Sequence, residues 1–230
     1  MHGLFEETLI GGTVNCCFLA KLGGVAGSGE PGCLRFLQAQ EIKIKEIRLH
    51  GRGGQGIVMA AEIIVHAAMI DGLYGNALPS FGVERRGSPV TSSVRLDDRP
   101  VREKSQIYFP NCIVVSDATL LGSGDVFGGI QDGTFMVLNS LKMVQPSNLP
   151  VQITRLGVLD ATKIGLEVLG IPVTNTAIVA AFAKTTGWVQ LSSILEGIRR
   201  VLPPELVERN VKAARRAAQE VRLFEIKKDH

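Results

Sequence analysis

Hydrophobic positions along the chain fall into short blocks whose period changes between two and about 3.6, with glycine clusters at several of the changes. The first block, residues 42–49, sets Ile42, Ile44, Ile47 and Leu49 among lysines and arginines and ends at His50, as a strand does before a turn. GRGGQG follows, and residues 57–70 are then apolar at nearly every position except Glu62 and His66, which share one face at i and i+4. This pattern predicts a largely buried helix with a narrow polar stripe. A short strand over 73–78 leads into PSFGVERRGSP, and VTSSVRL at 90–96 alternates as a half-buried strand should. Asp97-Asp98-Arg99-Pro100 reads as a turn, with a hairpin partner at 101–107 and then a buried strand at 112–115 that ends at Ser116-Asp117. Further strands are expected at 134–138 and 151–156, and helices at 161–169, 176–185 and 191–201. Pro203-Pro204 opens a last helix over 205–224, since proline is tolerated in a first turn.

This order of elements predicts an α/β fold over residues 42–230: a three-layer α/β/α Rossmann-like domain with a mixed sheet, helices on both sheet faces and a β-hairpin insert. Residues 1–41 stand apart as an N-terminal extension without an assigned fold, Gly-rich at 23–32 and weakly periodic. No internal repeat is visible.

Composition then removes whole classes of function. With 45% apolar and 20% charged residues, the 230-residue chain is globular rather than disordered. A net charge of +3, without a basic run interleaved with aromatics, predicts no nucleic-acid partner. The longest uncharged stretch, 168–183, contains Pro172, Thr174, Asn175 and Thr176, so no membrane span is expected. Glu6 and Glu7 stand where a secretory signal carries positive charge, which predicts a cytoplasmic location. Cys16, Cys17, Cys33 and Cys112 form no disulfide framework, and the adjacency of the first two is not metal-ligand spacing, so no metal site is expected.

Two constellations carry candidate chemistry. Gly51, Gly53 and Gly56 satisfy G-x-G-x-x-G between a strand and a helix, where backbone can approach a phosphate and first-turn N–H groups point at it. A dinucleotide site would also need a carboxylate at the end of the second strand for the ribose hydroxyls; that strand offers none, and Asp71 precedes it. A tight turn with close helix packing and no ligand explains the same glycines. The second constellation is Arg85-Arg86, followed by Gly87, in a connection after a strand. Paired guanidinium forks suit phosphate or carboxylate, and equally a solvated pair or a subunit salt bridge. Arg95, Arg99 and Arg102 read as exposed charges or interface contacts. GxSxG, HExxH, a Walker lysine, CxxCxxC and a GDG thiamine signature are all missing, and His50 is the only histidine at a functional edge. No catalytic residue is assigned to this chain.

At these residues the sequence resembles the gamma subunit of the 2-oxoacid:ferredoxin oxidoreductases, the pyruvate synthase type, equivalent to one domain of the single-chain pyruvate:ferredoxin oxidoreductases. The resemblance rests on IRLHGRGGQGIVMAAEII, LYGNALPSFGVERRGSPVTSSVRLDDRPVR, IYFPNCIVVSDATLL and NTAIVAAFAKTTGWV, and covers about residues 44–224. It implies a multi-subunit enzyme that converts a 2-oxoacid and coenzyme A to an acyl-CoA and carbon dioxide, reducing ferredoxin. Thiamine diphosphate and iron–sulfur clusters would sit on partner subunits of the alpha, beta and delta types, with this chain helping to form the coenzyme A site. Gly51, Arg52, Gly53, Gly54, Gln55, Gly56, Arg85, Arg86 and Gly87 become the candidates for its phosphates. GRGGQG with ERRGSPV is similar to the pyruvate and branched-chain type rather than the 2-oxoglutarate type, whose loop would read GFGGQG. The resemblance does not extend to the first forty or so residues. A structural adaptor and a nicotinamide dehydrogenase remain the alternatives.

Overall fold

A computed structural model describes residues 44–80, 87–122, 125–142, 144 and 148–226. The extension at 1–41, with Cys16, Cys17 and Cys33, lies outside the described residues, as do Arg85 and Arg86.

Strand β1 (Lys45–Arg52) runs into helix α1 (Ile57–Ile70) and is followed by β2 (Tyr74–Ser80), β3 (Pro89–Asp97) and β4 (Cys112–Val115). A 3-10 turn (Ala118–Gly122), β5 (Thr134–Asn139) and β6 (Ile153–Leu159) come next. Helix α2 (Ala161–Ile164) continues as a π turn to Leu169, and α3 (Asn175–Thr186), α4 (Leu191–Val201), α5 (Pro204–Glu220) and β7 (Arg222–Glu225) close the order. The strands form one mixed sheet in the order β2-β3-β1-β4-β5-β6-β7. The four central strands β1, β4, β5 and β6 are parallel, while β3 runs antiparallel to both β1 and β2, and β7 antiparallel to β6.

Alternation along β1 shows how sequence becomes layering. Ile47 and Leu49 join Val94, Cys112, Val114 and Val137 in a core shared with α1, α3, α4 and α5. The opposite face is built on Ile113, Val115, Met136, Leu138 and Leu156, and its cover is thin: Leu120 of the 3-10 turn, Val126 and irregular chain. The long helices therefore crowd one side of the sheet, where the order of elements predicts helices on both faces. Their small residues permit this, because α3 reads NTAIVAAFAKTT and is buried at every position but Lys184.

Three local expectations need correction. Residues 101–107 form no strand; β3 is already paired on both edges, and its hairpin partner is β2. The chain there crosses the polar sheet face instead, held by Asn76 Nδ2 to Glu103 O (3.3 Å), Arg95 Nη1 to Ser105 O (2.7 Å) and Arg48 Nη1 to Ile107 O (3.4 Å). Arg95 is consequently not a surface charge: it is 4% exposed and paired with Glu46 at 2.8 Å, unlike the exposed Arg99 and Arg102. The last helix stops at Glu220, and extended Val221 leads into β7, whose ladder covers the free edge of β6 from Arg155 to Val158.

Candidate functional site

The first two residues of GRGGQG are the end of β1, and the turn to α1 occupies the next four. Each outer glycine has a steric reason. A Cβ on Gly51 would lie 2.5 Å from Ile57 side-chain carbons, and Gly56, at φ 76°, would meet the Asn175 amide at 2.8 Å. Close helix packing thus accounts for these two glycines whether or not a ligand binds. The intrahelical ladder of α1 begins with Ala60 N donating to Gly56 O, which leaves the first-turn N–H groups beyond it.

Gly53 of the glycine loop and Gly87, the residue after the arginine pair, are joined through their backbones. Gly53 N donates to Ser88 O (2.9 Å), and Gly87 N donates back to Gly53 O (3.2 Å). The residue that follows Arg86 is therefore stitched to the glycine loop across a gap of 34 positions in sequence.

Arg52 and Gln55 turn inward to a residue the sequence reading left without a role, Asp117. Arg52 Nε donates to Asp117 Oδ2 at 2.9 Å, Nη2 to Thr119 Oγ1 at 2.8 Å and Nη1 to Gly87 O at 3.1 Å. Gln55 accepts from Arg52 N at 2.8 Å and donates to Asp117 Oδ2 at 3.4 Å. Thr119 donates through both N (3.0 Å) and Oγ1 (2.6 Å) to Asp117 Oδ1. Burial alone would raise the Asp117 pKa, but the Thr119 hydrogen bonds and then Arg52 outweigh it and hold the carboxyl below its ordinary value.

Beyond Asp117 a cleft of about 590 Å³ opens at the carboxyl ends of β4, β5 and β6, where ligands of open α/β sheets bind; Gln55, Ser116, Asn139, Asp160 and Lys163 are on its wall. Asn139 ties these strand ends together, donating to Ser116 O and Thr162 Oγ1 (both 2.9 Å) and accepting from Ala161 N (2.8 Å). Strand ends reading SD, NS and LD were the signal available in the sequence.

A model of the pyruvate ferredoxin/flavodoxin oxidoreductase family matches residues 46–220. The chain belongs to that family, among its gamma-type subunits. It is 46% identical over 183 residues to a pyruvate/ketoisovalerate oxidoreductase common subunit gamma of Pyrococcus furiosus, spanning 79% of this chain and 99% of that one. It is also 46% identical over 176 residues to a pyruvate synthase subunit PorC of Methanothermobacter thermautotrophicus, covering 76% and 95%. The crystal structure of a pyruvate oxidoreductase subunit PORC from Thermotoga maritima superposes with a TM-score of 0.68 at 31% identity, covering 80% of this chain and 99% of that chain.

In this gamma-type chain the remaining sequence candidates have structural employment. Asp71 accepts from Gln190 N (2.7 Å) and from Ser193 Oγ at the start of α4, at the far end of α1 from the glycine loop, so it holds no ribose there. His50 is 9% exposed and accepts from Arg48 Nε at 3.0 Å through Nε2. Burial, and secondarily the Arg48 charge, lower its pKa to about 4, so it is a neutral donor through Nδ1 rather than a base. Both side chains line a cavity of about 300 Å³ together with Gln106, Ile107 and Tyr108. Cys112 is fully buried, and burial pushes its thiol pKa up. No helix among the described residues is long and apolar enough to cross a membrane.

Proposed function

We propose that this chain completes the coenzyme A site of a cytoplasmic 2-oxoacid:ferredoxin oxidoreductase complex acting on pyruvate or a branched-chain 2-oxoacid. The reaction joins the acyl group to coenzyme A, releases carbon dioxide and delivers electrons to ferredoxin. Thiamine diphosphate, which stabilises the carbanion of decarboxylation, and the iron–sulfur clusters belong to alpha, beta and delta-type partners in this reading. The relatives' names, pyruvate/ketoisovalerate oxidoreductase and pyruvate synthase, support the substrate.

The observation that carries the coenzyme A role is the pair of backbone hydrogen bonds between Gly53 and the Gly87-Ser88 segment. They anchor Gly87 and Ser88 at the glycine loop, and in this reading Gly51 to Gly56, Gly87 and the preceding Arg85 and Arg86 serve one anion. The loop supplies N–H groups and close approach; the two guanidinium groups supply charge-assisted donors for phosphate.

Replacing both Arg85 and Arg86 by alanine in the assembled complex tests this. The coenzyme A KM should rise by on the order of tenfold or more, since hydrogen bonds to charged groups are worth about 1.5–3 kcal/mol each, while the pyruvate KM holds. An unchanged coenzyme A KM overturns the phosphate role. Weaker assembly with intact constants points to an adaptor subunit instead.

A further inference from the structure

A carboxylate beside an anion-binding loop is electrostatically unfavourable, so the position of Asp117 calls for a reason. Were Arg52 a ligand for phosphate, Asp117 would compete with that phosphate for it. The geometry gives Arg52 a different task. All three nitrogens of its guanidinium are engaged, by Asp117, Thr119 and Gly87. Gln55, the other residue of the motif that is not glycine, is also drawn to Asp117. The side chain of Asp117 is 19% exposed and that of Arg52 32%, so this pairing is partly shielded from water.

We propose that Asp117 is the positioning residue of the glycine loop: through Arg52 and Gln55 it holds the loop, and with it the Gly87 end of the arginine-bearing connection, ready for an anionic ligand. This rests on the coenzyme A reading above. Asp117 and Thr119 touch no ligand in it; they act through Arg52, which pins the Gly87 carbonyl beside the glycine loop. Thr119 locks the second carboxylate oxygen, so the clamp has one geometry rather than several.

The decisive variant is Asp117→Asn in the assembled complex, because two opposite signs are at stake. A clamp that loses its carboxylate loosens the loop: the coenzyme A KM should rise on the order of tenfold with the pyruvate KM unchanged, although a negative charge has been removed from an anion site. If Arg52 instead binds the ligand and Asp117 restrains it, the same variant lowers the coenzyme A KM, and the proposal fails. Hydrogen exchange supplies a readout independent of turnover. The Gly53 and Gly87 amides, which donate to Ser88 O and Gly53 O, should lose protection in Asp117→Asn and in the charge-preserving Arg52→Lys. Unchanged protection overturns the clamp whatever the kinetics do. Lost protection with an unchanged coenzyme A KM overturns its role in binding; the Arg85/Arg86 double variant then tells whether the coenzyme A reading falls with it.

Discussion

Arg48 and Arg52 sit four residues apart on one strand, yet their surroundings differ in kind. Arg48 is 9% exposed and meets no carboxylate within ion-pair distance among the described residues; its fork donates to the carbonyls of Val126 (2.9 Å) and Gly128 (2.6 Å) and, more weakly, Ile107 (3.4 Å) and Asp125 (3.5 Å). Arg52 stands at the carboxyl end of β1 and engages a carboxylate, a hydroxyl and one carbonyl. The first arrangement organises irregular chain over the thin side of the sheet; the second organises a loop that faces solvent. Buried carbonyls cannot turn to water when a donor is removed, whereas the groups around Arg52 can. One guanidinium therefore serves the fold and the other, in the proposed reading, serves a site.

The largest effect that would test this contrast is Arg48→Ala. It leaves four backbone carbonyls, those of Ile107, Asp125, Val126 and Gly128, and His50 Nε2 without their donor, and should lower unfolding stability by on the order of 4 kcal/mol, measured by urea denaturation of the full chain. A loss as small as that of a surface substitution would mean that the Arg48 hydrogen bonds to this irregular chain are not structural. Next comes the pH dependence of the same region. His50 has a folded pKa of about 4 against an ordinary 6.5, so the unfolded chain takes up its proton first as pH falls. Its contribution is complete above pH 6.5 and is lost between 6.5 and 4, about 3 kcal/mol in all, and His50→Gln should flatten that part of the profile. Asp117 acts in a lower window: its depressed carboxyl gives stability present above the ordinary value of 3.8 and lost as pH falls through the folded one. The two regions should thus separate in a pH titration of stability. The smallest effect belongs to Arg52→Ala, about 1 kcal/mol or less, as for other half-exposed ion pairs, even though its effect on the loop is large. A greater loss of stability there would erase the distinction.

The fold was legible wherever a single period dominated. The pattern at 57–70, 112–115 and 191–201 corresponds to helix, strand and helix at the same bounds, because an apolar stripe or run has few other ways to be buried. It misled where neighbours decided. Residues 101–107 follow a turn signal that predicts a hairpin partner, but β3 had no free edge to offer. Residues 221–224 extend a helical pattern, but β6 had an edge to fill. Arg95 looked like its neighbours Arg99 and Arg102 until strand pairing set it opposite Glu46.

The candidate site divides in the same way. Glycine spacing before a buried helix, and an arginine pair in a connection between strands, are local facts that residue order alone determines, and they were enough to suggest an anion site. That Gly87 closes onto Gly53 depends on the antiparallel pairing of β1 with β3, and that Asp117 at the end of β4 gathers Arg52 and Gln55 depends on the parallel pairing of β1 with β4 between residues some 65 positions apart. A hydrogen bond reports only final distance, and sequence separation carries no information about it. The sequence determined which residues could bind an anion; the tertiary structure decided which of them are held in place to do it, and by what.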